Sequence, residues 1–167
     1  SASLENRDTM VNVVEKTANE VFIPLTVGGG ISSIENIKAL LKAGADKVSI
    51  NSAAIKNPNI IKEASEYFGN QCIVVAVDVK KYNNDWFVYS HGGTNKTDLL
   101  ALSWIEKVQK LGAGEILLTS MDKDGTKSGF DNELLSKVSE FLTIPVIASG
   151  GVGTLNHFYD GVVKGKA

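Results

Sequence analysis

The stretch Ile23-Pro24-Leu25-Thr26-Val27-Gly28-Gly29-Gly30-Ile31 returns as Ile144-Pro145-Val146-Ile147-Ala148-Ser149-Gly150-Gly151-Val152, a shift of 121 residues from position 23 to position 144. The same shift places Gly44 on Gly165. An apolar run, a glycine turn and a helix that repeat in register mark a structure made from two similar halves. Any fold assigned to this chain has to accommodate that duplication.

Between the two copies, short Val- and Ile-rich runs alternate with stretches of helical spacing, the pattern of buried parallel strands linked by helices. Strands are expected at Phe22–Val27, Lys47–Asn51, Cys72–Asp78, Glu115–Thr119 and Val146–Ser149. Helices are expected near Thr9–Glu20, Ile34–Ala43, Pro58–Phe68, Leu99–Leu111, Asn132–Phe141 and Leu155–Lys164. Ser33 ahead of Ile34, Pro58 at a first helical position and Asp131 before Asn132 are start signals, and Gly44, Gly69 and Gly112 stand where helices should end. Tyr82–Ser90 breaks the rhythm and reads as a turn followed by a small accessory hairpin. Repeated strand–helix units predict an α/β fold with a parallel sheet.

Four such units fill the 121-residue shift, so doubling gives about 242 residues, close to the ~250 of a closed eight-stranded barrel. The expected fold is therefore of the (βα)8 barrel family, an incomplete barrel of about five parallel strands, with residues 1–167 as a single partial domain. Roughly two strands at the front and one at the back are expected to lie outside the chain.

Composition narrows the functional classes. With 43% hydrophobic and 22% charged residues the chain can build a core, and a formal charge of −2 gives no basic field for nucleic acid or anionic lipid. No run of ~18 apolar residues and no basic, apolar leader pattern occurs, so a cytoplasmic enzyme is the expectation. The single cysteine, Cys72, excludes an intrachain disulfide and a multi-cysteine metal site, and its apolar surroundings predict a buried packing residue.

Gly28-Gly29-Gly30 and Gly150-Gly151 each follow a strand and precede a helix. Lacking side chains, such turns let backbone N–H groups approach an anion, which predicts phosphate binding over a plain tight turn. A dinucleotide fingerprint starts at Gly151-Val152-Gly153 but fails at Asn156. Asp78 ends a buried strand, where barrel enzymes place catalytic groups and where partial desolvation would raise a carboxyl toward a useful acid/base range. The competing reading is a loop or helix cap.

The loop Asp122-Lys123-Asp124-Gly125-Thr126-Lys127-Ser128-Gly129 resembles a calcium loop only superficially, because its glycine stands fourth and not sixth. It reads better as a substrate-binding loop. His91 and His157 have no carboxylate company and define no metal site. His91, beside Gly92-Gly93, is placed to touch substrate, and His157 reads as a surface or packing residue.

Taken together, Thr26-Val27-Gly28-Gly29-Gly30-Ile31, Ala45-Asp46-Lys47-Val48-Ser49-Ile50-Asn51-Ser52-Ala53-Ala54, Val75-Ala76-Val77-Asp78, Gly114-Glu115-Ile116-Leu117-Leu118-Thr119-Ser120-Met121-Asp122, Asp124-Gly125-Thr126-Lys127-Ser128-Gly129 and Ala148-Ser149-Gly150-Gly151 resemble the cyclase subunit of imidazole glycerol phosphate synthase. The likeness runs along the whole chain. A paralogous isomerase of the same pathway shares the glycine turns but not the Ser49–Ala54 or Leu117–Asp122 segments in this form. The resemblance implies an ammonia-dependent lyase of histidine biosynthesis. It closes an imidazole ring on a bis-phosphorylated ribulosyl nucleotide, releases aminoimidazole carboxamide ribotide, and receives ammonia from a glutaminase partner. No cofactor and no metal is implied.

Asp78 matches the second of the family's two catalytic aspartates. The first belongs to an opening strand absent here, so the chain alone is expected to be inactive. Gly30, Asn51 and Ser52 match one phosphate site, and Thr119, Asp124, Gly125 and Gly151 match parts of the substrate and second phosphate site. Lys47 and Glu115 match half of a charged ring guarding the ammonia entrance, and Asp46 matches a residue facing the glutaminase. An ordinary solvated ion pair is the plain alternative for the Lys47–Glu115 match. The other functional alternatives are the isomerase of the preceding step and a non-catalytic phosphate-binding fragment. Open sheet edges also lead to an expectation of self-association.

Overall fold

The first copy of the repeat forms strand β1 (Thr26–Gly28) and the second forms β7 (Val146–Ser149) in a computed structural model. The structure describes residues 4–20, 25–122 and 132–149, with side chains described from Met10 to Asn19 in the first of these. Between the copies run α2 (Ile34–Ala43), β2 (Lys47–Ile50), α3 (Ser52–Lys56), α4 (Asn59–Phe68), β3 (Ile73–Tyr82), β4 (Asp85–Ser90), β5 (Asn95–Leu100), α5 (Ala101–Leu111), β6 (Glu115–Ser120) and α6 (Asn132–Ser139). Helix α1 (Leu4–Glu20) precedes them. The expected Leu155–Lys164 helix and the Asp131 cap lie outside the described residues.

Strands β1, β2, β3, β6 and β7 pair in that order and all in parallel. Their registers carry the signature of a barrel. Moving straight across the sheet from Thr26 leads to Lys47 and, with the same registers extended, to Cys72, Ala113 and Thr143, which is four residues short of Ile147, the repeat equivalent of Thr26. A stagger of four over four strand steps becomes eight when the repeat is doubled, the shear of a closed eight-stranded barrel. The sheet is half of a (βα)8 barrel.

Side-chain alternation sorts the two faces. Val48, Ile50, Ile73, Val75, Val77, Ile116 and Leu118 point outward and are fully buried under the helices. There they join Ile37 and Leu40 of α2, Ile61 and Ala64 of α4, Trp104, Ile105 and Val108 of α5, and Leu134, Leu135 and Val138 of α6 in one core. The opposite, concave face carries Thr26, Gly28, Ser49, Ala76, Leu117 and Ile147 and forms the floor of an open trough of about 1230 Å³.

Local signals explain both ends of α2 and the end of α5. The Ser33 hydroxyl accepts from the Asn36 N–H at 3.1 Å and caps α2. Gly44 and Gly112 adopt the left-handed conformation that closes α2 and α5. Gly69 differs: its φ of 94° goes with a ψ of 140°, and the chain passes into a short 3-10 turn, Asn70–Cys72. Cys72 therefore stands just before β3 and is half-buried against the core, not enclosed within the strand.

The expected hairpin is present and larger than predicted. Asn83 and Asn84, with φ of 51° and 66°, make the two-residue turn that right-twisted strands favour. β4 pairs back onto β3 from Asp78↔Tyr89 to Tyr82↔Asp85, and β5 adds to β4. Because β3 outruns β2, this antiparallel pair occupies the space above the end of β2. Leu99 and Leu100, expected to begin a helix, belong to β5.

Candidate functional site

The C-terminal ends of the parallel strands bring together Gly28 of β1, Asn51 after β2, Asp78 of β3, Thr119 of β6 and Ser149 of β7. Register aligns Asp78 with Thr119 and Thr119 with Ser149. Asp78 is half-buried, and one of its carboxylate oxygens accepts from the Asn51 amide at 3.0 Å. Asn51 Oδ1 is buried without a hydrogen-bond partner. A carboxylate held by an amide at the mouth of a parallel half barrel can accept or return a proton at a fixed position.

Beside this pair the β1 turn opens. Gly29 and Gly30 have φ of 98° and 67°, a region that side chains avoid, and Gly30 is exposed at the trough with Asn51 and Ser52. At Gly28 an added Cβ would lie 2.9 Å from the Ser49 Cβ on the neighbouring strand, so glycine also allows β1 and β2 their close approach. Ser52 accepts a hydrogen bond from the His91 N–H at 3.1 Å, which ties the turn after β4 to this corner. Of the expected site residues, Gly30, Asn51, Ser52, Asp78 and Thr119 thus share one end of the sheet. Asp124, Gly125, Gly151 and His157 lie outside the described residues.

The other end carries different chemistry. Lys47 Nζ and Glu115 Oε1 meet at 3.3 Å on the concave side at the N-terminal ends of β2 and β6. Four residues separate Glu115 from Thr119 along β6, or about 13 Å at ~3.3 Å per residue. Asp46 is exposed, and its Oδ2 accepts from the Leu25 N–H at 2.7 Å, holding the start of β1. These residues are therefore remote from the Asp78 end. Among the described residues no group of three His, Cys, Asp or Glu could hold a metal ion, and no helix is long and apolar enough to cross a membrane.

Three features of the site had escaped the sequence reading: the Asn51–Asp78 bond, the His91–Ser52 bond and helix α3. The first two join residues 27 and 39 positions apart, and only the sheet registers bring them together. Helix α3 is five residues long and lacks a side-chain cap.

Half a (βα)8 barrel, with a hydrogen-bonded carboxylate and a glycine turn at its C-terminal mouth, puts the chain among the barrel proteins that carry their sites at strand ends. The family follows from comparison with known proteins. A family model described as "Histidine biosynthesis protein" matches residues 1–167, and the chain belongs to that family. It is similar to "Imidazole glycerol phosphate synthase subunit HisF" of Nostoc sp., 57% identical over 171 residues that cover 100% of this chain and 66% of the relative. The protein of the same name from Methanocaldococcus jannaschii is 55% identical over 187 residues, covering 100% of this chain and 69% of the relative. The chain spans about two thirds of the length of the curated relatives it matches.

Proposed function

We propose that this chain carries part of the ammonia-dependent cyclase of histidine biosynthesis, the activity implied by the name of its relatives. The reaction closes an imidazole ring on a bis-phosphorylated ribulosyl aminoimidazole nucleotide, giving imidazole glycerol phosphate and aminoimidazole carboxamide ribotide. The observation that carries this reading is the Asp78 carboxylate, fixed by the Asn51 amide at 3.0 Å at the mouth of the half barrel, in a chain 57% identical to such a subunit.

In this reading Asp78 is a general acid/base, and its orientation comes from Asn51. Gly30, Asn51 and Ser52 take one phosphate end of the substrate. Thr119 contacts the substrate between the ends, and Asp124, Gly125 and Gly151 serve the other end. Lys47 and Glu115 line the ammonia route at the opposite face, and Asp46 faces a glutaminase subunit that supplies the ammonia. Residues 1–167 form one partial barrel domain that is inactive on its own, because the opposed aspartate of the family has no match in this chain. With the concave face open and Ile147 46% exposed on it, the isolated chain associates with itself.

The test is a chimera in which residues 1–167 replace the matching stretch of the Nostoc relative. With ammonium salt as nitrogen donor it should cyclise the ribulosyl substrate, and Asp78→Asn should lower the rate by about 10²–10⁴-fold while substrate still binds. Isomerase activity in place of cyclisation would establish the paralogous reading. Substrate binding without turnover by the chimera would establish the non-catalytic one.

A further inference from the structure

The turn after β4 holds a histidine in an unusual way. His91 has a φ of 54°, a left-handed conformation that few non-glycine residues adopt although histidine is among those that do so more often, and two glycines follow it. Hydrogen bonds fix that conformation on both sides: the His91 N–H reaches Ser52 Oγ at 3.1 Å, and the Thr94 hydroxyl donates to the His91 carbonyl at 2.7 Å. The residue is nevertheless exposed and lines the trough beside Asn51 and Ser52.

The ring is fixed as well as the backbone. Its Nδ1 lies 2.9 Å from Ser90 Oγ, and Ser90 is only 4% exposed. That hydroxyl already accepts from the Asn95 amide at 3.1 Å. A buried hydroxyl proton needs an acceptor, and among the described residues the Ser90 Oγ partner that can accept it is His91 Nδ1. The network therefore assigns Nδ1 as the accepting nitrogen, so the proton of the neutral ring sits on Nε2. Nε2 is the ring nitrogen left for a ligand.

The backbone bond also orients Ser52. A serine hydroxyl has one proton to donate, and the His91 N–H occupies one of its acceptor positions. Its own proton is then available to an incoming acceptor at the trough. His91 and Ser52 line the same trough, so the Ser52 hydroxyl and the His91 Nε2–H are two donors available to one oxyanion there, which accepts from several donors at once.

We infer that His91 is a substrate-binding residue that donates from Nε2 to the phosphate monoester held by Gly30, Asn51 and Ser52, with Ser90 and Asn95 as positioning residues for its ring. This rests on the proposed phosphate site and adds to it a ligand from the β4–β5 hairpin. The hairpin would thus serve recognition, closing the phosphate corner from above β2.

The test titrates the 167-residue chain with inorganic phosphate, followed by amide and imidazole nitrogen NMR. His91→Asn tolerates the positive φ, keeps the backbone bond to Ser52 and removes Nε2. It should weaken phosphate binding about tenfold, the value of one hydrogen bond to a charged acceptor. Ser90→Ala should weaken binding less and shift the His91 nitrogens away from the Nε2–H tautomer, a signature that a merely structural role would not produce. In the unmutated chain, phosphate should move the Nε2 resonance. Unchanged affinity in His91→Asn, with binding still abolished by Gly30→Val, would overturn the role of His91 and leave the phosphate site standing. If the unmutated chain takes up no phosphate, or if Gly30→Val binds it normally, the site itself is wrong and His91 has no phosphate to hold.

Discussion

Removing each partner of the Lys47–Glu115 pair should have unequal consequences. The two charges are 3.3 Å apart, and the side chains are 36% and 13% exposed. At an effective dielectric of ~20 the bare attraction is about 5 kcal/mol, before desolvation and solvent screening are subtracted. Fully exposed pairs retain about 0.2–1 kcal/mol in double-mutant cycles, and Lys47 is exposed enough for water to screen much of the gain. Glu115 is the better-buried partner, so a coupling of about 1–2 kcal/mol is expected. Lys47→Met leaves the half-buried carboxylate uncompensated and should cost about 2 kcal/mol. Glu115→Gln leaves an ammonium that can turn to solvent, and should cost about 1 kcal/mol. Urea unfolding of the four proteins of the cycle, at about 0.05 M and about 1 M salt, measures the coupling and its screening. A coupling below about 0.3 kcal/mol, or a larger loss in Glu115→Gln than in Lys47→Met, would show that the pair is an ordinary solvated contact.

Gly30→Val should abolish phosphate uptake, because φ of 67° is strained for a β-branched residue and the side chain would fill the anion's place; calorimetry with inorganic phosphate reads it. Ser33→Ala should cost about 1 kcal/mol in denaturant unfolding by removing the cap on Asn36 N–H, with no effect on phosphate binding. Ile61→Ala, fully buried on α4, should cost about 2–5 kcal/mol in the same assay. Light scattering of the isolated chain should show a dimer or larger particle, and a clean monomer at high concentration would contradict the proposed association.

The parallel strands were legible because each reads as a short apolar run, and in β2, β3 and β6 the helix-covered face is buried. Lys47–Ile50, Glu115–Ser120 and Val146–Ser149 were placed to within one residue. Helix α2 was legible from end to end, since Ser33 and Gly44 flank a clear amphipathic period. Strand β5 was not, because Asn95-Lys96-Thr97-Asp98 is polar, mostly exposed, and a strand only through its pairing with β4. Helix α3 escaped for a related reason: Ser52-Ala53-Ala54-Ile55-Lys56 is too short to show a period. Asp78 could be found because a carboxylate after an apolar run stands out. His91 could be suspected only from its neighbouring glycines, since its partner Ser52 becomes adjacent only when β4 folds back over the end of β2.

Register and repeat together place the proposed chemistry. β3, which carries Asp78, is the middle of the five parallel strands, with β1 two strands away on one side and β7 two strands away on the other. The glycine turns follow β1 and β7 in sequence, and in the proposed reading both serve a substrate that reaches Asp78. A substrate phosphorylated at both ends and reacting near its middle fits that spacing. A substrate with one phosphate would leave one turn without a role. The bis-phosphorylated substrate implied by the family resemblance would engage both turns. The chimera distinguishes the two cases directly. If the substrate analogue lacking either phosphate bound as well as the doubly phosphorylated one, the two turns would not act together, and the placement of Asp78 between them would have no mechanistic meaning.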